Sequence, residues 1–363
     1  MPEEKYLGKP LAYSDQNILD AFLKADDKDK SFIEEFLSKV QVVYSDITLQ
    51  EIHFAGLKNT DYTKSFLQLL LDIEAHYISI RMDQNWKPLD AIRGSSNSPF
   101  YHYQIFLENR QYDELILQAK MNTFALYGGI TDFNQLTIKQ VCNQNELLND
   151  LEGQLNYLQE LDSNDPVILQ FIKEKEVDLQ ILKSQMADFE NAVAFTTGKL
   201  KEANDETDAH LVFRKQLGIN IDKIKQIEFP NVIEKIWTDI QSNNHVFENM
   251  AFDDFCSLRF DATDPERKLT NFEKIHGIYS ILNLLGYMPE KKVKNEGKFI
   301  ASDRDISHVA YASFCDYFIT NDERLLNKSR AIYEYLNIHT EVLEIPLLKK
   351  APTSVEAFLL SKT

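Results

Sequence analysis

The chain has 363 residues, 57 acidic against 39 basic side chains, a net charge of -18, and a hydrophobic share of 44%. That apolar share supplies a packed core and argues against a disordered chain, and the acidic balance excludes the general electrostatic hold on nucleic acid that a basic protein has. No apolar run of about 18 residues is present to span a bilayer, and the N-terminal MPEEKYLGKP is charged rather than apolar, so a cytoplasmic protein is expected.

The first 57 residues alternate strand and helix. Leu11-Ala12-Tyr13 is a short apolar run stopped by Ser14-Asp15, and Ile18, Leu19, Phe22 and Leu23 follow at helical spacing. Residues 40–44 (VQVVY) are β-branched and bounded by Ser45-Asp46, after which 47–57 return to helical spacing. From 58 to 269 the chain is rich in helical patterns and poor in strand-like alternation. Leu148, Leu151, Leu155 and Leu158 form one stripe. Asp165-Pro166 starts a second helix with Ile172, Leu179, Leu182, Met186 and Phe189 on one face, so two antiparallel helices are expected. Residues 93–99 (RGSSNSP) read as the clearest loop, followed by Phe100, Tyr101 and Tyr103. The C-terminal part predicts helices over 272–285 and 303–314, the strand Tyr317-Phe318-Ile319, a helix after Thr320-Asn321, and a last strand within 339–343.

This order predicts an α/β protein with a central parallel sheet flanked by helices. Its domain is assembled from residues 1–57 and 270–363, and a mostly α-helical insertion at 58–269 interrupts it. Residues 1–57 with 270–345 come to 133 positions, inside the usual domain size of roughly 100–150. Cys142, Cys256 and Cys315 lie far apart and outside any CxxC pair, which leaves buried thiols as the expectation.

Four acids stand where strand ends meet helix starts: Asp15, Glu51, Asp305 and Asp322. Each has a local role open to it. Asp15 and Asp322 suit helix N-caps, and Glu51 and Asp305 complete Thr48-x-x-Glu51 and Ser302-x-x-Asp305 capping boxes. Jointly they suggest something else. The carboxyl ends of parallel strands open onto a common crevice, where converging carboxylates form a site for hard cations.

The stretch from Asp305 through His308, Ala312, Asp316, Thr320 and Asn321 to Asp322 resembles the PIN-domain nucleases. That family has an acid opening a helix, small residues along it, a hydrophobic strand and then Thr-x-Asp, and the two acids here stand 17 positions apart. Asp15-Gln16-Asn17 and the Val-Val-Tyr-Ser segment leading to Glu51 are similar to its first half. The likeness spans both ends of the chain and none of the middle, which departs from the family as a large insert. It implies that Asp15, Glu51, Asp305 and Asp322, with Asp303 as a further ligand, hold one or two Mg²⁺ or Mn²⁺ ions and hydrolyse phosphodiester bonds, RNA being the family's usual substrate. Asn17, Thr320 and Asn321 would orient ligands or water, His308 would face the phosphate or pack as a hydrogen-bonded neighbour, and Asp316 would be a further ligand or, more simply, a strand-entry acid.

Lys291, Lys292, Lys294 and Lys298 precede Asp303 and Asp305 and, with Arg324, Lys328 and Arg330 downstream, offer positive charge to a phosphate backbone. Three alternatives accompany the reading. Arg304-x-x-x-His308 is one residue short of the Arg-(x)4-6-His pair of the metal-free HEPN ribonucleases. A PIN-like module that binds a partner or RNA without cutting it is the second. A nuclease of a toxin or defence system, cutting DNA or RNA and regulated by a protein partner through the helical insertion, is the third.

Overall fold

The computed structural model describes residues 8–84, 87–110, 113–130, 132–160, 165–206, 208–261, 264–290 and 293–345. Strand β1 (Leu11–Ser14) leads through α1 (Gln16–Leu23) and α2 (Asp27–Lys39) to β2 (Gln41–Tyr44). Then come α3 (Asp46–Gly56), α4 (Thr60–Asp72), β3 (His76–Met82), β4 (Pro88–Ser95) and α5 (Pro99–Asn109). Next in the chain are α6 (Asp113–Leu126), α7 (Phe133–Glu160), α8 (Pro166–Ser184), α9 (Met186–Glu206) and α10 (Ala209–Gln216). After them follow α11 (Ile221–Lys225), α12 (Val232–Asn243), α13 (Phe252–Phe255) and α14 (Asn271–Leu285). The order ends with α15 (Glu296–Ala312), β5 (Tyr317–Ile319), α16 (Glu323–Leu336) and β6 (Glu341–Leu343).

The sheet order is β4-β3-β2-β1-β5-β6, parallel throughout except for the antiparallel β3–β4 pair. Strand residues alternate between two buried faces, as a parallel sheet requires. Ala12, Val42, Tyr44 and Ile319 join a cluster with Ile18, Phe22, Phe36, Leu49, Ile52, Phe66 and Leu70. Tyr13 faces the other way, stacked on Tyr311 of α15 and tilted against Phe318. Each fully buried aliphatic or aromatic side chain of this kind contributes roughly 1.5–3 kcal/mol.

Several expectations are corrected. The region from 58 is not purely helical: β3 and β4 lie in it and extend the sheet from β2. By contacts, the described residues within 1–110, 216–291 and 300–363 form one compact unit, and those within 111–215 and 292–299 form a second, helical one. Arg93, Gly94 and Ser95, expected in a loop, belong to β4, because their backbone groups pair with Ser79, Ile78 and Tyr77. Within the helical unit, Leu148 and Leu155 of α7 do pack on Ile172 and Leu179 of α8. Leu151 and Leu182 stay exposed, and the expected second helix breaks at Gln185, so Phe189 falls on α9. Cys315 is buried, whereas Cys142 is exposed. No helix among the described residues is long and apolar enough to cross a membrane.

Candidate active site

The chain builds β1, β2 and β3 outward in one direction and then returns to place β5 and β6 on the other side of β1. Where strand order reverses, the carboxyl ends of the two central strands diverge into a crevice. Ser14 pairs in register with Ile319, so Asp15 and Thr320 leave the sheet side by side. Asp15, 3% exposed, N-caps α1 by accepting from the Ile18 N–H at 3.0 Å. Its other oxygen accepts from the Thr320 hydroxyl at 2.6 Å. Thr320 Oγ1 in turn accepts from the Asp322 N–H at 3.1 Å. Asp322 N-caps α16, accepting from Arg324 and Leu325 N–H groups at 2.8 and 3.0 Å. One buried threonine hydroxyl therefore ties the two strand-end acids together.

Glu51 and Asp305 reach the crevice from helix interiors, and both expected capping boxes are corrected. The box at α3 is formed by Ser45 and Thr48, whose hydroxyl accepts from the Ser45 N–H, so Glu51 sits further along the helix. Helix α15 begins at Glu296, which places Ser302, Asp303 and Asp305 well inside it. Glu51 is held by His308 Nε2 at 2.9 Å, and His308 Nδ1 meets the Tyr13 hydroxyl at 2.9 Å. His308 is 1% exposed. The Tyr13 hydroxyl also bonds Ser45 at 2.7 Å. His308 orients Glu51.

Charge joins these groups. Burial, then the charges of Glu290, Glu51 and Asp322, pushes the Asp305 carboxyl well above the usual carboxylate range, with Lys328 opposing. Burial likewise raises Asp15, against the hydrogen bond from Thr320 and the proximity of His308, with Glu51 adding to the rise. Glu290 was not foreseen, and Lys328, expected to offer its charge to a phosphate backbone, is buried instead. Lys328 is fully buried, ion-paired with Glu290, and donates to Asn283 Oδ1 at 2.8 Å. A lysine inside the stripe Leu325, Leu326, Ser329 and Ile332 was the available signal for it; Glu290, in a Met-Pro-Glu turn, had none.

The remaining candidates divide. Asn17 is exposed on α1, and Asn321 is half-buried with its side-chain oxygen lacking a hydrogen-bond partner. Asp303 is half-buried in mid-helix, its carbonyl accepting from Ser307. Asp316 takes the strand-entry role: it accepts from the Leu11 N–H at 2.7 Å, at the amino end of β5 and so a strand length from the crevice. Arg304, of the Arg-His alternative, lies 4.6 Å from the Phe54 ring centre. Lys291 and Lys292 lie outside the described residues. Lys294, expected to be free for phosphate, is paired with Asp208 at 2.7 Å, and Lys298 is an exposed residue of the first turns of α15; both group with the helical unit. Arg324 opens α16, 3.9 Å from Glu290.

Among the described residues, no three His, Cys, Asp or Glu side chains close on one point at metal-ligand spacing. The donors nevertheless suit a hard divalent cation in kind, being carboxylate, hydroxyl and amide oxygens. The buried Tyr279 hydroxyl, which feels the charges of Asp305, Glu290 and Asp322, has no hydrogen-bond partner among the described residues and is a further oxygen at the crevice. Comparisons with protein-family models, with curated proteins and with solved structures each returned no match.

Proposed function

We propose that this chain is a PIN-like, metal-dependent nuclease that hydrolyses phosphodiester bonds, most readily those of RNA. The observation that carries the reading is the convergence of Asp15 and Asp322 on Thr320 at the reversal point of the sheet, with Glu51 and Asp305 sharing their charge. Asp15, Glu51, Asp305 and Asp322 would hold Mg²⁺ or Mn²⁺, drawing together by side-chain rotation as their mutual repulsion is neutralised. Such a cation lowers the pKa of a bound water and offsets charge on the phosphate.

The chain's own residues prepare the site. Thr320 holds the Asp15 carboxylate through its hydroxyl, which also accepts from the Asp322 N–H, and His308 holds Glu51. The helix N-termini at Asp15 and Asp322 favour anionic groups in the first turns of α1 and α16.

The test is cleavage of end-labelled single-stranded RNA and DNA with Mn²⁺, Mg²⁺ or EDTA, comparing wild type with Asp322→Asn. Asparagine keeps the N-cap, so the fold is retained while a ligand charge is lost. Metal-dependent cutting that falls by about 100-fold or more in the variant is expected, in the range seen when one electrostatic contact to a transition state is removed. Cutting that persists in EDTA would transfer the activity to a metal-free mechanism such as the Arg304–His308 pair. A folded wild type inert under every condition would favour a binding module or a partner-activated enzyme.

A further inference from the structure

Lys328 lies on α16 six positions after Asp322, on the face that buries Leu325, Ser329 and Ile332, with none of its surface exposed. An ammonium group survives such burial only where counter-charges and hydrogen bonds replace its water. Its Nζ is ion-paired with Glu290, donates to Asn283 Oδ1 at 2.8 Å, and sits 4.1 Å from the centre of the Tyr279 ring. Burial pushes the Lys328 ammonium below the usual lysine range, and the charges of Glu290, Asp305 and Asp322 oppose that shift. The Tyr279 ring that carries the ammonium bears the unpartnered hydroxyl that feels Asp305, Glu290 and Asp322. The charge of Lys328 therefore acts inside the acidic crevice.

We propose that Lys328 is the resident cation of this crevice: by engaging Glu290 it withholds that carboxylate from metal binding, and its own charge holds the place of one divalent ion. The consequence is a site for a single divalent cation per chain. Two-ion sites set their cations about 3.5–4 Å apart, and a second cation needs oxygen ligands of its own. Here the spare carboxylate, Glu290, is already bound to an ammonium with donors for both Glu290 and Asn283. This inference rests on the metal-site reading above, and its test separates the two.

Mn²⁺ is titrated into the full-length protein, with stoichiometry read by calorimetry and by the electron paramagnetic resonance signal of free Mn²⁺. Wild type takes one ion. Lys328→Met, of similar length but uncharged, leaves Glu290 with Arg324 at 3.9 Å as its remaining cation and takes two ions, and Mn²⁺ raises its melting temperature further than that of wild type. Lys328→Met with Glu290→Gln returns to one. If Lys328→Met is unfolded without metal, Mn²⁺ restores its near-ultraviolet circular dichroism, because the added ion replaces the lost charge. Two ions in wild type, one in Lys328→Met, or a variant that Mn²⁺ leaves unfolded would overturn the proposal while leaving a carboxylate nuclease in place. A wild type that takes no Mn²⁺ removes the metal-site reading itself. One ion in wild type and two in Lys328→Met, with no cleavage of RNA or DNA, keeps the resident cation and removes the nuclease.

Discussion

Asp305 is the residue whose chemistry departs most from its free form. Without a cation its carboxyl is buried among Glu290, Glu51 and Asp322, so it holds its proton far more tightly in the folded chain than in the unfolded one. The sign of the linkage follows. A carboxyl with a raised folded pKa costs nothing below its unfolded value of about 3.9, and destabilises increasingly as pH rises from there through the folded pKa. Asp305→Asn removes that cost. Its metal-free form is expected to match wild type near pH 4 and to exceed it toward neutral pH by about 1 kcal/mol, the common scale for relieving a strained functional group. Chemical denaturation across this pH range, in chelator, checks it; a variant that is less stable at neutral pH would contradict the reading of Asp305 as a frustrated carboxylate. Added Mn²⁺ should reverse the order, stabilising wild type more than the variant.

The helices that deliver these side chains do so through their ends and their faces. Asp322 both caps α16 and enters the crevice, so its two roles can be separated by substitution. Asp322→Ala should lose about 1 kcal/mol of stability with its cap, whereas Asp322→Asn should lose a few tenths at most, while both lose metal affinity. Thermal melts in chelator and Mn²⁺ titrations would show the split; equal stability loss in the two variants would mean the cap is not what Asp322 contributes to folding. Glu51 and Asp305 are different in kind, being carried by the interiors of α3 and α15, where position is fixed by packing of the helix against the sheet. Tyr13 shows how tightly this is done, since its hydroxyl from β1 meets Ser45 at the start of α3 and His308 on α15.

Across the whole molecule, the division into two compact units predicts separate unfolding, as in multi-domain chains. Calorimetry is expected to show two transitions, of which Mn²⁺ moves only the one belonging to the unit that carries the acids. A single transition displaced as a whole by Mn²⁺ would show the units to be energetically one. Strands β1, β2, β5 and β6 were legible because each is a short apolar run, buried on both faces and closed by turn-forming residues, as were the capping roles of Asp15 and Asp322. The pair β3–β4 was not, because an edge pair with arginines, an aspartate and a glycine lacks that signature and becomes strand only by pairing. The same limit applies at the crevice. Local spacing identified Asp15, Glu51, Asp305 and Asp322 as acids in suggestive places, but it also suggested Asp316, which the parallel register puts at the wrong end of β5. It was silent on Glu290. The residue types and the strand-and-helix order are properties of short windows, carried by propensity and periodicity. Which acids share one electrostatic field depends on contacts such as Asp15 with Thr320, 305 positions apart, and the lysine among them on contacts 38 and 45 positions long, which only the closed sheet and its packed helices bring about.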